Sequence, residues 1–297
     1  MKTKTEISAR VIEHSVFNVT DKPIATIVAV YPRWILAEVN THRALSKSSM
    51  SSRAVPIRTI LAQVWNDPAI PVEWGKHPVG GGMQAPEQLT GWRRSAARFG
   101  WIAASKVACG FAYAFWKLGL AKQLTNRVLE PWQWTTTVIT ATEWDNLWEL
   151  RIHPDAQPEF RVLATAMKAA LDASTPRTIT PLMDGTAWGW HLPFVTDEER
   201  NNYPMYSCIQ MSIARDARVS YLNHDGSRPD MGKDVKLFER LVGSRPLHAS
   251  PTEHQAMPAG TAGEASANFR GWIQFRQLYN PTSNMHEVIR GYTRKQG

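Results

Sequence analysis

Between Thr41 and Arg53 the chain reads T-H-R-A-L-S-K-S-S-M-S-S-R, which places one histidine, two arginines and five serines in thirteen positions. Hydroxyls, guanidinium forks and backbone N–H groups freed at a helix end are the groups that hold phosphate. An apolar run, Trp34 to Val39, precedes the stretch. The whole therefore reads as a helix end carrying an anion site, although a solvated basic serine loop would show the same composition. A second cluster runs from Arg127 to Gln157 and contains R-V-L-E-P and T-E-W-D-N-L-W-E-L-R. Asn146 and Arg151 fall on a helical face otherwise occupied by leucines. Half-buried polar groups need partners, and a ligand is one such partner. A third cluster, H-A-S-P-T-E-H at 248–254, reads first as a capping box from Ser250 to Glu253 with Pro251 at the first helical position. Its two histidines lack the spacing of a metal helix, so no metal site is expected. Cys208 reads as a buried thiol. Gly80-Gly81-Gly82 lacks the strand and helix of a phosphate loop or dinucleotide fingerprint.

These groups have to be positioned by a scaffold. Ile24 to Val30 is β-branched and apolar, the pattern of a buried strand. Pro32 opens a helix expected to run to about Ser46, which would put Glu38, His42 and Leu45 on one face. Lys47 to Pro56 reads as an irregular connection and Pro68 to Pro86 as a loop. A long helix is expected from Gly91 to about Leu129, broken near Gly110 or Gly119. Helices follow at Thr142–Arg151, at Gln157–Leu171 with Asp155 as its cap, and at Lys233–Val242. Residues 174–204, rich in Pro, Gly and Trp, read as an inserted excursion or linker.

With 297 residues, 43% hydrophobic and 20% charged, the chain has globular values and material for a sizeable core. The net charge of +8 is scattered, as at Arg93, Arg94, Arg98 and Lys106, which suits nucleic acid or small phosphorylated ligands. Two cysteines give neither a disulfide framework nor a C-x-x-C metal pattern. Met1 to Arg10 has no apolar h-region, and Phe99 to Leu120 carries Lys106 and Lys117, so a buried soluble helix and a cytoplasmic protein are expected.

Taken together, the clusters resemble the flavin-dependent thymidylate synthases. That family carries R-H-R-x-x-S-x-N-E-x-S-x-R-Y. His42, Arg43, Ser46, Ser51 and Arg53 agree with it, while Thr41, Ser48, Ser49 and Ala54 depart. Its R-x-x-L-P is matched by Arg127 to Pro131 with Glu130 in place of leucine. Its N-x-x-x-x-L-R-x-x-x-x-A-Q-x-E is matched by Leu150, Arg151, Ala156, Gln157 and Glu159, with Asn146 one position nearer to Leu150 than in the family. Its A-R-V-S and H-x-T-P-F-E-H look like Ala217–Ser220 and His248–His254. In the family these precede the R-H-R motif, whereas here they follow it, which implies a circular permutation. Permutation is tolerated when termini lie close together at the surface.

The resemblance implies an α+β fold, with helices packed on a mostly antiparallel sheet, in one domain over 1–297 with 174–204 as an inserted loop. It implies transfer of a one-carbon unit from methylenetetrahydrofolate to carbon 5 of dUMP, with FAD as cofactor, NADPH as reductant and a homotetramer with shared active sites. Thr41, His42, Arg43, Asn146, Gln157, Ser220, His248 and Ser250 would hold the flavin. Glu38, Ser49, Ser51, Arg53, Arg127 and Arg151 would hold the nucleotide, with Arg151 as the catalytic cation against the pyrimidine. At Glu38 the family usually has glutamine, and an ionised glutamate only accepts hydrogen bonds. That residue points to a cytosine nucleotide, or to a hydroxymethylated product, as the alternative. From other classes, a basic nucleic-acid-binding protein and a structural scaffold protein are the competing expectations.

Overall fold

A computed structural model describes residues 4–77, 85, 87–219, 230–242, 247–279 and 288. Its centre is a five-stranded sheet in the order β3-β4-β2-β1-β5. The strands are β1 (Ser8–Phe17), β2 (Lys22–Pro32), β3 (Ser46–Ser49), β4 (Trp134–Ala141) and β5 (Arg177–Ile179). Every pairing is antiparallel except that of β1 with β5. Two small antiparallel pairs lie beyond it: β6 (Ala256–Pro258) with β9 (Trp272–Gln274), and β7 (Ala265–Ser266) with β8 (Phe269–Arg270). The helices are α1 (Leu36–Asn40), α2 (Ile57–Asn66), α3 (Gly91–Lys117), α4 (Lys122–Thr125), α5 (Asp145–Arg151), α6 (Pro158–Asp172), α7 (Asp197–Asn202), α8 (Met205–Ala217), α9 (Met231–Leu241) and α10 (Phe275–Leu278). The expected α+β class is the observed one.

Strand β2 is mostly apolar from Ile24 to Tyr31 because it is central and covered on both faces. Ala25, Ile27, Ala29 and Tyr31 pack with Ile139 and Ala141 against Phe160, Leu163 and Met167 of α6. On the other face, Ile24 meets Trp272 and Phe269, and Val28 meets Val138 and Phe194. That second face also carries polar groups. Thr26 stands directly opposite Thr140 in the ladder, and their hydroxyls are 2.7 Å apart. His191 Nε2 bonds Thr26 at 2.7 Å and His254 Nδ1 bonds Thr140 at 2.8 Å. The chain of bonds continues to Ser15 from His191 and to Ser48 from His254.

Several sequence expectations are corrected. The helix opened by Pro32 is a single 3-10 turn, Arg33–Ile35, followed by the short α1, which ends at Asn40 rather than near Ser46. Ser46 to Ser49 instead becomes an edge strand, because β4 offers backbone partners from Thr137 to Thr140. The long helix does not break at Gly110. It stops at Gly119 (φ +84°) in a Schellman ending, with Gly119 N–H donating to Trp116 O and Leu120 N–H to Phe115 O. This helix is not buried either, since Phe99 is 75% exposed. Gln157, not Asp155, caps α6 by accepting from Phe160 N–H at 3.0 Å. The expected capping box at Ser250 is a bare 3-10 turn, Ser250–Thr252; the box that does form joins Thr196 and Glu199 at the start of α7.

Residues 174–204 are not a bare excursion. Ala187, Trp190, Leu192 and Val195 pack with Ile209, Ile213 and Phe275 in one apolar cluster, and Arg200 is buried against Glu13 of β1 at 2.9 Å. Gly80-Gly81-Gly82 lies outside the described residues. No helix among those described is long and apolar enough to cross a membrane. Cys208 is fully buried, as expected.

Candidate active site

The centre of the site is a contact between residues 109 positions apart in the chain. Arg151 Nε donates to His42 Nε2 at 2.8 Å. Arg151 is the last residue of α5, and His42 follows the end of α1. Phe160 of α6 completes the group: the Arg151 guanidinium lies 4.7 Å from the centre of its ring, and His42 meets that ring edge-on at 5.5 Å. A cation over an aromatic face with one nitrogen bonded to a fixed acceptor is held in direction as well as place. His42 is buried, and Lys47 Nζ donates to its carbonyl. Burial, then the Arg151 and Lys47 charges, bring its pKa down to about 4. It is therefore a neutral imidazole at neutral pH, as accepting from Arg151 requires.

Beside this pair lies a cleft of about 620 Å³ lined by Glu38, Glu149, Leu150, Arg151, His153, Asp155, Ala156 and Gln157. The volume suits a small ligand. Glu38 comes from α1, and Thr41 holds the helix end by donating to the Glu38 carbonyl at 2.6 Å. Burial raises the Glu38 pKa, Glu159 adds to that, and the Arg151 charge opposes both. Glu159 is buried and holds two donors, the Val72 N–H at 2.9 Å and the Gln157 amide.

The other residues singled out from the sequence fall in three places. Arg43 and Asn146 are exposed, which corrects the expectation of a half-buried Asn146. Asn146 lies on α5 one turn before the cleft residues Glu149 and Leu150. Gln157 lines the cleft, but its amide is engaged at both ends, by the α6 cap and by Glu159. Ser51, Arg53 and Arg127 are exposed and are absent from the cleft lining. Arg127 faces Glu130 at 3.6 Å, and Glu130 also accepts from Ser52 Oγ at 2.7 Å and faces Arg33 at 3.3 Å. His248 and Ser250 are exposed beside the 3-10 turn that packs on β3 and α8. Ser220 lies outside the described residues.

The serine-rich stretch offers fewer free hydroxyls than its composition promises. Ser46 bonds Asn268, Ser48 bonds His254, Ser49 bonds Thr137 at 2.9 Å and Ser52 bonds Glu130. Ser51 alone of the five is exposed, with a bond from the Arg53 N–H. Sequence reading missed Phe160, Lys47 and the His191–Thr26–Thr140–His254 chain. The two threonines inside β-branched runs were the available signal for that chain.

Burial keeps both histidines of the chain neutral: His254 is lowered to about 3 and His191 well below its ordinary value. The fully buried Asp216, 3.5 Å from His254 Nε2, is pushed well above the carboxylate range, first by burial. That contact is therefore a neutral pair rather than an ion pair. Among the described residues no group of three or more His, Cys, Asp or Glu is set for a metal ion.

A family model described as thymidylate synthase complementing protein matches residues 1–177. No curated protein matches the chain. Among solved structures, it is similar to a UMP/dUMP methylase, PolB from Streptomyces cacaoi, bound with 5-Br UMP: identity is 14%, the TM-score is 0.46, and the match covers 57% of this chain and 89% of that one. The same protein bound with 5-Br dUMP gives 14% identity and a TM-score of 0.45, over 58% and 92%.

Proposed function

The chain belongs to the thymidylate synthase complementing protein family, and on that premise we propose that it transfers a one-carbon unit to carbon 5 of a pyrimidine deoxynucleoside monophosphate. Methylenetetrahydrofolate is the donor and NADPH the reductant in this reading, with FAD as the cofactor. The observation that carries it is the Arg151–His42 pair on the wall of a ligand-sized cleft. Arg151 is a cation of fixed direction that stabilises negative charge pushed onto the pyrimidine, which makes carbon 5 nucleophilic. His42, neutral and locked by Arg151, orients that cation and moves no proton itself.

The residues present fit a flavin by the chemistry of their donors. Arg43 is exposed with no ion pair among the described residues, and so suits a pyrophosphate. Asn146 and the neutral His42 suit ring heteroatoms. When bound, the flavin supplies the hydride that completes the methyl group. His248, Ser250 and Ser220 belong to the segments outside the matched residues that carry the two displaced motifs. One displaced segment packs on the sheet through His254, which hydrogen-bonds Ser48 and Thr140 from two of its strands.

Ser51, Arg53 and Arg127 form the phosphate half of the site in this proposal. They are absent from the lining of the cleft in one chain, and in this reading a second copy brings the two halves together in a homotetramer. An apolar stripe on α3 supports this. Trp92, Phe99, Val107 and Leu118 are exposed on the side opposite the buried Ser105, Ala108 and Ala112. Placing aspartate at both Phe99 and Val107 is expected to leave a folded chain of unchanged circular dichroism but reduced mass by light scattering, and to abolish turnover. An unchanged assembly would exclude α3 as the contact.

Release and identification of the bound cofactor, together with turnover of dUMP and dCMP with the folate donor and NADPH, tests the activity. A yellow protein with a flavin spectrum is expected. A colourless protein whose DNA binding falls steeply with salt would favour the nucleic-acid reading instead.

A further inference from the structure

The Glu38 side chain lines the cleft together with Arg151 and Gln157. Its Oε2 atom is buried with no hydrogen-bond partner among the described residues. A buried carboxylate oxygen without a donor is costly, so a ligand N–H or a proton belongs there. None of the charged and titratable groups around it donates to that oxygen. Arg151, from α5, gives its Nε to His42 and stacks on Phe160. Glu159, from α6, holds the Val72 N–H and the Gln157 amide, and repels a second carboxylate. Lys47, from β3, donates to the His42 carbonyl. Glu149, His153 and Asp155 form the remaining cleft wall and bring two further acids.

Resting on the methyl-transfer reading above, we propose that Glu38 selects the base. Its carboxylate accepts from the exocyclic amine of a cytosine deoxynucleotide, and its carboxylic acid donates to the 4-carbonyl of a uracil deoxynucleotide. The two bases present opposite groups at position 4, a donor in cytosine and an acceptor in uracil. An ionised carboxylate only accepts, whereas a protonated one also donates. Facing position 4 of uracil, the ionised form sets a carboxylate oxygen against the O4 acceptor and gains no bond there. Facing cytosine, it gains a charge-assisted bond. Burial and Glu159 both favour the proton, so the exchange falls at a higher pH than for an exposed glutamate.

The test compares kcat/KM for dCMP and dUMP in wild type and Glu38→Gln across the range from about pH 5 to about pH 9. Quenching of tryptophan fluorescence by each nucleotide gives binding separately from turnover. In the wild type the dCMP-to-dUMP ratio is expected to climb roughly 10- to 100-fold as Glu38 ionises. In Glu38→Gln the amide offers both donor and acceptor, so the ratio should be nearly flat with pH and shifted toward dUMP. This variant also carries the bases' own titration and serves as the control for it. A flat wild-type ratio, or an equal climb in Glu38→Gln, overturns the proposal while leaving methyl transfer standing. Failure to methylate either nucleotide removes the methyl-transfer reading, and the base selection with it.

Discussion

Replacing Arg151 with alanine is expected to lower kcat for methyl transfer by about 100- to 1,000-fold, the cost of removing a preorganised charge from a developing anion. Lysine should restore little, because a point charge cannot hold the bond to His42 while lying over Phe160. The variant has a second readout that does not depend on turnover. The His42 pKa is held at about 4 first by burial and then by the Arg151 and Lys47 charges. Removing Arg151 takes away one depressing charge and opens the pocket to water, so the imidazole should titrate nearer its ordinary value. Nuclear magnetic resonance of the His42 ring would show that shift. Full activity in Arg151→Ala would refute the role assigned to this cation, whatever the histidine did.

Acid should unfold the protein through its buried histidines well before its surface carboxylates are protonated. Above about pH 6.5, the ordinary histidine value, His254 is neutral in both the folded and the unfolded chain. Below it the unfolded chain takes up a proton that the folded chain refuses until about pH 3. Stability is therefore complete above the unfolded value and declines as the pH falls toward the folded one. At about 1.4 kcal/mol per unit, the span from 6.5 to about 3 amounts to roughly 4–5 kcal/mol from His254 alone. His191 acts in the same direction.

Asp216 acts oppositely. Its folded value is raised, so the stability it contributes is greatest in acid and is lost as the pH rises above about 3.8. Asp216→Asn should therefore be more stable than wild type at neutral pH and should steepen the net acid loss. Urea midpoints between about pH 7 and about pH 4 provide the measurement. A flat profile over that range in Asp216→Asn, where the opposing carboxyl is gone, would mean that the two histidines are not held neutral.

Much of the chemistry was visible in residue types and spacing. The helices expected at Thr142–Arg151 and Gln157–Leu171 are found as α5 and α6, because Pro158 in the first turn is a local signal, although the cap is Gln157 and not Asp155. Strand β2 was legible because a central strand covered on both faces has little choice but β-branched and small apolar residues. Strand β1 escaped notice for a physical reason: a bulge between Val11 and Glu13 shifts its alternation, and Glu13 and His14 look solvated. Glu13 is in fact satisfied by Arg177 and Arg200, from far along the chain. Strand β4 was legible but overlooked, as its run of Thr, Val and Ile is ordinary strand composition.

By themselves, then, the residues carried the motif spacing whose resemblance implied the α+β class, and they marked the buried strand β2 and the helices α5 and α6. They did so because β-branched runs and motif spacing act within a few residues. Only the tertiary structure decided that most of the serines are spent on neighbours, that Glu38 keeps a buried oxygen unmet, and that Ser51, Arg53 and Arg127 are absent from the lining of the cleft that holds Arg151. Those outcomes depend on partners dozens to hundreds of residues away, such as His254 for Ser48 and Asn268 for Ser46, and short-range pattern carries no information about contacts at that separation.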